Sequence, residues 1–180
     1  MDSITFITWN QNKADYLAKY LWMEVLHEKI DTDEIQSLDL DEVVEHKVRQ
    51  AYAIAKKPIL VEDTALEFSA LGKLPGTFIK FFVQELGQEW LCRLLDGKDR
   101  SAIGRTKDAY FDGTHLEIFT GEIKGTIAEH PGYDNGFAWD RIFIPEWYNC
   151  VRSELGEEDY KKIYLTIKPT ETVREFLLSI

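Results

Sequence analysis

The stretch ILVEDTALEFSALGKLPGTFIKFF, residues 59–82, decides the fold class of this chain. Its opening Ile-Leu-Val is a short apolar run, typical of a strand covered on both faces in a parallel α/β sheet. Open α/β sheets bind ligands just beyond the carboxyl ends of such strands, and we place Glu62 and Asp63 there. Carboxylates at this position can hold a divalent cation or orient a water. Lys80, beyond a Leu-Pro-Gly turn, could meet the phosphates that such a cation accompanies.

Length, composition and charge narrow the class of protein. The chain has 180 residues, 44% hydrophobic and 13% aromatic, which indicates a globular protein with a sizeable core. We therefore expect a single domain over residues 1–180. The formal net charge of -11 argues against nucleic acid or an anionic membrane as a partner, because both are bound through a surplus of lysine and arginine. A small anion would need local lysines or a bridging metal.

Cysteine usage and the absence of long apolar segments bear on the compartment. Cys92 and Cys150 are far apart and form no CxxC motif, so we expect neither a disulfide framework nor a zinc site. The amino terminus lacks a basic region followed by an apolar run, and no segment approaches the roughly 20 apolar residues that span a bilayer. These features predict a soluble, cytoplasmic protein.

The first part of the chain reads as alternating strands and helices. Residues 3–9 alternate and are rich in Ile, Thr and Phe, which predicts a strand, and Asn10 and Asn12 suit the turn and cap of a following helix. A second strand is predicted around residues 24–30. Apolar residues at helical spacing then predict a helix over residues 39–56. Together with the strand at the start of residues 59–82, this order indicates an α/β fold.

The later part of the chain departs from a purely parallel sheet. Residues 100–111 and 115–128 flank Asp112 and Gly113, a strong turn signal, so we predict a long antiparallel hairpin. The remaining elements that we predict are short helices over 78–86 and 88–95, a loop over 131–145, a helical turn at 157–162 and a closing helix over 169–180.

Several polar residues lie where a phosphate or a metal could bind. Thr8, Asn10 and Lys13 occupy a strand-to-helix junction, where backbone N–H groups and the helix dipole favour a phosphate. The same residues also fit a capped helix with a solvated lysine. Glu34, in a loop, and Lys47, on the long helix, are by themselves typical solvated side chains.

Two further segments each allow a structural and a functional interpretation. Residues 62–64, Glu-Asp-Thr, either cap the next element or form a site. The aromatic residues of Phe-Ala-Trp-Asp, residues 137–140, could stack on a base whose ring N–H the aspartate accepts. Buried loop aromatics are the alternative.

The order of these motifs resembles one known enzyme family. TWNQNK, EIQ, a helical lysine, VEDT followed by LPG and IKFF, and FAWD are similar to the motifs of inosine triphosphate pyrophosphatases, the non-standard purine NTP pyrophosphatases. The resemblance covers residues 5–145, and its five matches are specific together although each alone is not. It implies an elongated, twisted mixed β-sheet flanked by helices, and usually a homodimer.

The resemblance also implies a reaction and a set of site residues. The family hydrolyses a nucleoside triphosphate to the monophosphate and pyrophosphate with Mg²⁺, and water attacks the α-phosphorus. By the resemblance, Glu34 and Asp63 bind Mg²⁺, and Asp63 acts in catalysis with Glu62 and Lys13. The substrate-binding residues that it implies are Thr8, Asn10, Lys13, Lys47, Thr64, Lys80, Phe137, Trp139, Asp140 and Lys161.

Departures from the family pattern concentrate in the part that recognises the base. Ala138 stands where the family has glycine, Arg141 stands where it has proline, and the closing Ser-His-Arg is missing. A site that leaves a base group without its hydrogen-bond donor discriminates poorly, so the preference for inosine or xanthine is open. Arg141, Lys168 and Arg174 are candidates to replace the missing arginine.

Three functions follow from these observations. The leading one is a Mg²⁺-dependent pyrophosphatase acting on ITP, dITP, XTP or another modified nucleotide. The second is a non-catalytic nucleotide-binding or interaction protein that keeps the fold. The third is a Maf-type pyrophosphatase acting on modified pyrimidine nucleotides.

Overall fold

Parallel strands form one side of the sheet. The computed structural model describes residues 3–133 and 139–180. In it, β1 (Ser3–Ile7) pairs in parallel with β2 (Glu24–Glu28) and with β3 (Ile59–Phe68). The predicted first strands are confirmed, although each of the first two ends two residues earlier than predicted.

Helices connect these strands, because parallel neighbours need a crossover. The first connection contains α1 (Gln11–Leu21), whose cap is the predicted Asn10. The second contains α2 (Leu40–Ala55), capped by Asp39. Lys56 follows α2 in the left-handed region, with φ 54°, and donates its backbone N–H to the carbonyl of Tyr52. These capped helices confirm the predicted alternation of strands and helices.

The remaining strands make the sheet mixed. They are β4 (Pro75–Gly76), β5 (Ser101–Phe111), β6 (Leu116–Ile127) and β7 (Phe143–Pro145). The main order is β2-β1-β3-β5-β6-β7, while β4 pairs with β3 alone. Both β4 on β3 and β7 on β6 are antiparallel. The turn predicted at Asp112 and Gly113 lies between β5 and β6, which are neighbours in the sheet.

The position of the two carboxylates corrects one prediction. Glu62 and Asp63 lie inside β3, not beyond its carboxyl end. β1 ends at Ile7, which pairs with Val61, so the parallel pairing stops one residue before the carboxylates. The strand nevertheless continues to Phe68, with β5 as its other neighbour in the sheet and β4 paired at Leu66 and Glu67. The site thus lies where β1 ends rather than where β3 ends.

The described residues include four further α-helices. α3 (Ile79–Leu86) and α4 (Gln88–Arg93) lie close to their predicted bounds, and α6 (Thr170–Ser179) is the predicted closing helix. The segment predicted as one helical turn is the full helix α5 (Glu157–Ile167). It extends further because its second half carries a buried apolar stripe, Ile163, Tyr164 and Ile167.

The chain forms two compact units, each with its own core. Unit 1 consists of Met1–Asp63, Thr106–Thr120 and Lys168–Ile180, and unit 2 of Thr64–Arg105 and Gly121–Ile167. The core of unit 1 includes Ile4, Phe6, Leu17, Leu21, Leu60, Tyr110, Val173 and Leu177. The core of unit 2 includes Leu66, Phe68, Leu91, Cys92, Ile123, Ile142, Phe143 and Ile163. The single domain expected from chain length stays a prediction.

Both cysteines belong to unit 2. Cys92 is fully buried, and burial raises the pKa of its thiol to about 11, although Arg100 acts in the opposite direction. Cys150 is half-buried. Both are free thiols. Over the described ranges, no helix is long and apolar enough to cross a membrane.

Candidate active site

Thr8 and Asn10 shape the junction between β1 and α1. Thr8 Oγ1 accepts a hydrogen bond from the backbone N–H of Asn10, at 3.1 Å. Asn10 Oδ1 accepts from the backbone N–H groups of Asn12 and Lys13, at 3.1 and 3.4 Å. These bonds fix the first turn of α1, at the positive end of the helix dipole. They also set the position from which the Lys13 side chain extends.

A group of four titratable side chains, which we call the charge cluster, is buried in unit 1. Its members are Lys13, Glu62, Asp108 and Lys168. Glu62 Oε1 lies 3.0 Å from Lys13 Nζ and 2.6 Å from Lys168 Nζ. The Glu62 side chain is only 3% exposed, that of Lys168 is 11% exposed, and Asp108 is 2% exposed. One carboxylate oxygen therefore holds two ammonium groups.

The two carboxyl groups of the charge cluster differ in protonation. Burial disfavours the charge of Glu62, but Lys13 and Lys168 outweigh burial and lower its pKa to about 2. Burial and the negative charge of Glu62 raise the pKa of Asp108 to about 8, against the effect of the two lysines. At neutral pH Glu62 is thus ionised, whereas Asp108 carries a proton.

The two lysines of the charge cluster also differ. Burial lowers the pKa of Lys13, but Glu62 and Asp63 outweigh burial and leave that pKa raised. Burial and the repulsion of Lys13 lower the pKa of Lys168, and Glu62 opposes this change. Lys13 is therefore the firmly charged member of the pair. Its side chain is 27% exposed, so it also reaches solvent.

Asp63 and Lys47 form a second, more accessible pair in unit 1. Lys47 Nζ lies 3.2 Å from Asp63 Oδ2 and donates to the backbone carbonyl of Glu62 at 3.1 Å. Consecutive residues of a strand point to opposite faces, so Glu62 enters the charge cluster while Asp63 does not. The Asp63 side chain is 28% exposed. The predicted carboxylate pair thus separates into a buried member and an accessible one.

The donor chemistry of this site fits Mg²⁺. Glu34 lies exposed between β2 and α2. Within residues 3–133 and 139–180, no group of three His, Cys, Asp or Glu side chains is arranged to hold a metal by itself. Mg²⁺ does not require such a group, because one or two carboxylates commonly bind it together with substrate phosphates and waters. The partly exposed carboxylate of Asp63 is a donor of this kind.

The other predicted substrate-binding residues belong to unit 2. Thr64 lies half-buried in β3, Lys80 lies exposed on α3 with its ammonium 5.8 Å from the Phe81 ring, and Lys161 lies exposed on α5. Their roles stay predictions. Phe137 falls outside the described residues.

Asp140 belongs to a buried group that we call the Asp140 cluster, with Arg152 and Tyr160. Asp140 Oδ1 lies 3.1 Å from Arg152 Nη1, and Oδ2 accepts from the Tyr160 hydroxyl at 2.9 Å. Trp139 is 5% exposed, and a Cβ at Gly104 would lie 2.9 Å from its ring. Asp140 and Trp139 are thus both buried among other residues of unit 2. Their part in base recognition stays a prediction.

The candidates to replace the missing arginine all have contacts. Arg141 Nε donates to the carbonyl of Gly132 at 3.0 Å, and the Arg174 guanidinium lies over the Trp22 ring at 5.5 Å. Lys168 belongs to the charge cluster. Arg152, which the sequence patterns do not single out, lies 5.8 Å from the Trp139 ring centroid.

Asp108 is the site residue that sequence reasoning missed. It lies on β5, where Ala102, Thr106 and Asp108 occupy buried positions of an alternating strand. Two polar residues on an otherwise buried face are the signal that could have found it. The flanking Arg105 and Lys107 hide this signal, because the run Arg-Thr-Lys-Asp is polar throughout.

Comparison with known proteins identifies the family. A model described as the Ham1 family matches residues 4–175. The chain belongs to the Ham1 family. It is 36% identical over 181 residues to an inosine triphosphate pyrophosphatase of Yarrowia lipolytica, covering 97% of this chain and 95% of the relative. It is 38% identical to inosine triphosphate pyrophosphatase 2 of Trypanosoma cruzi, covering 89% and 84%.

Solved structures support the fold. A HAM1 protein from Coxiella burnetii matches with a TM-score of 0.86 at 22% identity, covering 100% of both chains. The Ham1 protein of Staphylococcus aureus matches with a TM-score of 0.83 at 21% identity, covering 98% of both. The predicted α/β class and mixed sheet are therefore confirmed, as is the predicted resemblance. The relatives named above bear the name of the predicted enzyme class.

Proposed function

We propose that this chain hydrolyses a nucleoside triphosphate to the monophosphate and pyrophosphate, with Mg²⁺ as cofactor. The observation that carries the proposal is the division of the carboxylate pair. Glu62 is buried between two lysines, while Asp63 is partly exposed beside Lys47. This arrangement supplies both cations for a phosphate chain and an accessible carboxylate for chemistry.

The residues divide the work of the proposed reaction. Lys13 and Lys47 neutralise phosphate oxygens, and the junction at Thr8 and Asn10 presents the positive end of α1. Asp63 orients the attacking water and accepts its proton. The water oxygen forms a bond to the α-phosphorus while the bond from that phosphorus to the oxygen bridging to the β-phosphorus breaks, and pyrophosphate leaves.

The metal has a defined place in this proposal. Asp63 and Glu34 would hold Mg²⁺, together with oxygens of the substrate. Bound Mg²⁺ would offset charge on the phosphate oxygens. Removal of the ion with EDTA should abolish turnover, and addition of excess Mg²⁺ should restore it.

A substrate panel tests the proposal. Pyrophosphate release is measured with Mg²⁺ and ITP, dITP, XTP, ATP, GTP and modified pyrimidine triphosphates. We expect release from at least one inosine, xanthine or modified nucleotide, because the relatives named above are inosine triphosphate pyrophosphatases. Absence of release from every nucleotide contradicts the proposal. Calorimetric binding without release would instead support the non-catalytic alternative, and release only from pyrimidines the Maf-type alternative.

The homodimer is a separate part of the proposal and rests on family resemblance. Light scattering at several protein concentrations measures the molar mass directly. A mass of one chain, 20.9 kDa, at every concentration would contradict the dimer.

A further inference from the structure

The charge cluster carries more positive charge than its carboxylates neutralise. Within the charge cluster, Lys13 and Lys168 share one ionised carboxylate, Glu62, because Asp108 holds a proton at neutral pH. Asp63, outside the cluster, acts on Lys13 as well. One carboxylate does not neutralise two ammonium groups, and Lys13, the more exposed of the two lysines, is the one that an incoming anion can reach.

Asp108 also has unused hydrogen-bonding capacity. Among the residues that the structure describes, its Oδ1 atom is buried without a hydrogen-bond partner. Thr106 Oγ1, two residues earlier on β5 and thus on the same face, is likewise buried without a partner in the described part of the chain. A buried carboxylate oxygen that accepts no hydrogen bond adds nothing to the stability of the ionised form.

Lys168 is too deep to be the first group that an anion meets. Its side chain is 11% exposed, against 27% for Lys13. Both ammonium groups nevertheless lie on the same oxygen of Glu62. Because Lys168 neutralises part of the negative charge of Glu62, less of that charge remains to neutralise Lys13.

We propose that Lys168 and Asp108 are positioning residues that keep the positive charge of Lys13 available to a polyphosphate. Lys168 neutralises Glu62 from the buried side, and the proton on Asp108 prevents a second carboxylate from neutralising Lys168. The inference rests on the proposed function only in assigning a phosphate to Lys13.

The proposal couples polyphosphate binding to a proton. The groups that face Asp108 are Glu62 on β3, Lys13 on α1 and Lys168 in the connection between α5 and α6. When Asp108 is ionised, its negative charge and the anion compete for the same lysines. Binding therefore favours the protonated form of Asp108, and the proton comes from solvent.

Binding of inorganic tripolyphosphate, measured by titration calorimetry, tests the proposal without requiring turnover. Lys168→Met should raise the Kd about tenfold, since one nearby charge is lost. Lys168→Arg keeps the charge and should restore the Kd to within about threefold of the wild type. The matched control is Lys107→Met. Lys107 is also a lysine of unit 1, its side chain is 14% exposed, and it pairs only with Asp41 among the described side chains.

The pH dependence separates this role from a purely structural one. Between pH 6.5 and pH 9 the wild-type Kd should rise as Asp108 ionises, by up to tenfold per pH unit above its pKa. In Asp108→Asn this part of the rise should be absent. Titrations at pH 8 in two buffers of different ionisation enthalpy should show proton uptake by the wild type that exceeds the uptake by Asp108→Asn.

Three results would overturn the proposal. They are no tripolyphosphate binding by the wild type, equal Kd values for Lys168→Met and Lys107→Met, or the same pH dependence in Asp108→Asn as in the wild type. Thermal unfolding of each variant confirms that it is folded, and Lys168→Gln replaces Lys168→Met if the latter is not. A protein that binds tripolyphosphate as expected but releases no pyrophosphate would contradict the proposed function and leave this inference supported.

Discussion

Units 1 and 2 each bury a group of charged side chains, and the two groups differ in composition. In the Asp140 cluster, one carboxylate faces one guanidinium and uses its second oxygen to accept from Tyr160. In the charge cluster, two lysines share one oxygen of Glu62, while Asp108 leaves an oxygen without a partner in the described chain. Each group has a buried polar atom without a hydrogen-bond partner among the described residues, Arg152 Nε in one and Asp108 Oδ1 in the other. The difference therefore lies in the ion pairs: Asp140 pairs with one guanidinium, whereas two lysines share Glu62. Buried charge alone therefore does not distinguish the two groups, but the sharing of one carboxylate by two lysines does.

The largest expected effect concerns the accessible carboxylate next to the charge cluster. Asp63→Asn should lower kcat about 10²- to 10⁴-fold, because the variant has no base to accept the proton of water. Its free energy of unfolding should change by less than about 1 kcal/mol, since the pair with Lys47 is partly exposed. Pyrophosphate release and urea unfolding measure the two quantities. Turnover near the wild-type rate would refute the role assigned to Asp63.

The next effect tests whether the Asp140 cluster is structural. Arg152→Met leaves the carboxylate of Asp140 buried without its cation and should lower the free energy of unfolding by about 3–5 kcal/mol. The control is Arg93→Met in the same unit. Arg93 is exposed and pairs with Glu89, so its loss should cost less than about 1 kcal/mol. Equal losses in the two variants, measured by urea unfolding, would contradict the comparison.

The charge cluster should also make the stability of the protein depend on pH. The raised pKa of Asp108, about 8, means that the folded protein binds a proton that the unfolded chain releases above its ordinary pKa. This group therefore reduces stability progressively as pH rises from about 4 to about 8.

Asp108→Asn removes that proton-linked cost. The free energy of unfolding of the variant, minus that of the wild type, should be about 1–3 kcal/mol larger at pH 8 than at pH 5. Asp41→Asn, at a half-exposed position of unit 1, is the control and should show no such gain. Urea unfolding at the two pH values measures the difference. If the variant exceeds the wild type in free energy of unfolding by the same amount at pH 5 and pH 8, Asp108 of the folded wild type is ionised at both pH values.

The smallest expected effect is the loss of one hydrogen bond in the Asp140 cluster. Tyr160→Phe removes the hydroxyl that donates to Asp140 Oδ2 and should cost about 1 kcal/mol. The ion pair with Arg152 remains, so this loss should be clearly smaller than that of Arg152→Met. If the two losses are equal, the cluster is held mainly by the hydroxyl and not by the charge pair.

Local sequence signals predicted the elements whose causes are local. Asn10 caps α1, and Asp112 and Gly113 lie at the turn between β5 and β6. The extent of β3 could not be predicted in this way, because two of its neighbours in the sheet, β4 and β5, come later in the chain. α5 was predicted too short because its apolar stripe packs into the core of unit 2, which the sequence alone does not show.

The candidate site was predictable where it coincides with ordered motifs and not elsewhere. Lys13, Lys47 and Asp63 follow from the family pattern, and the structure places them together in unit 1. Asp108 carries no motif, since its significance comes from packing against residues 46 and 95 positions away in sequence, Glu62 and Lys13. Charge imbalance is a property of the folded arrangement, and no linear pattern reports it.

The buried thiol of Cys92 allows opening of the unit 2 core to be followed by chemical modification. A thiolate is the form that reacts with alkylating reagents, so the raised pKa and full burial of Cys92 should keep it unreactive in the folded protein, while the half-buried Cys150 is modified first. Unit 1 contains no cysteine. The rate of the second alkylation would therefore time the opening of the unit 2 core, with no added label.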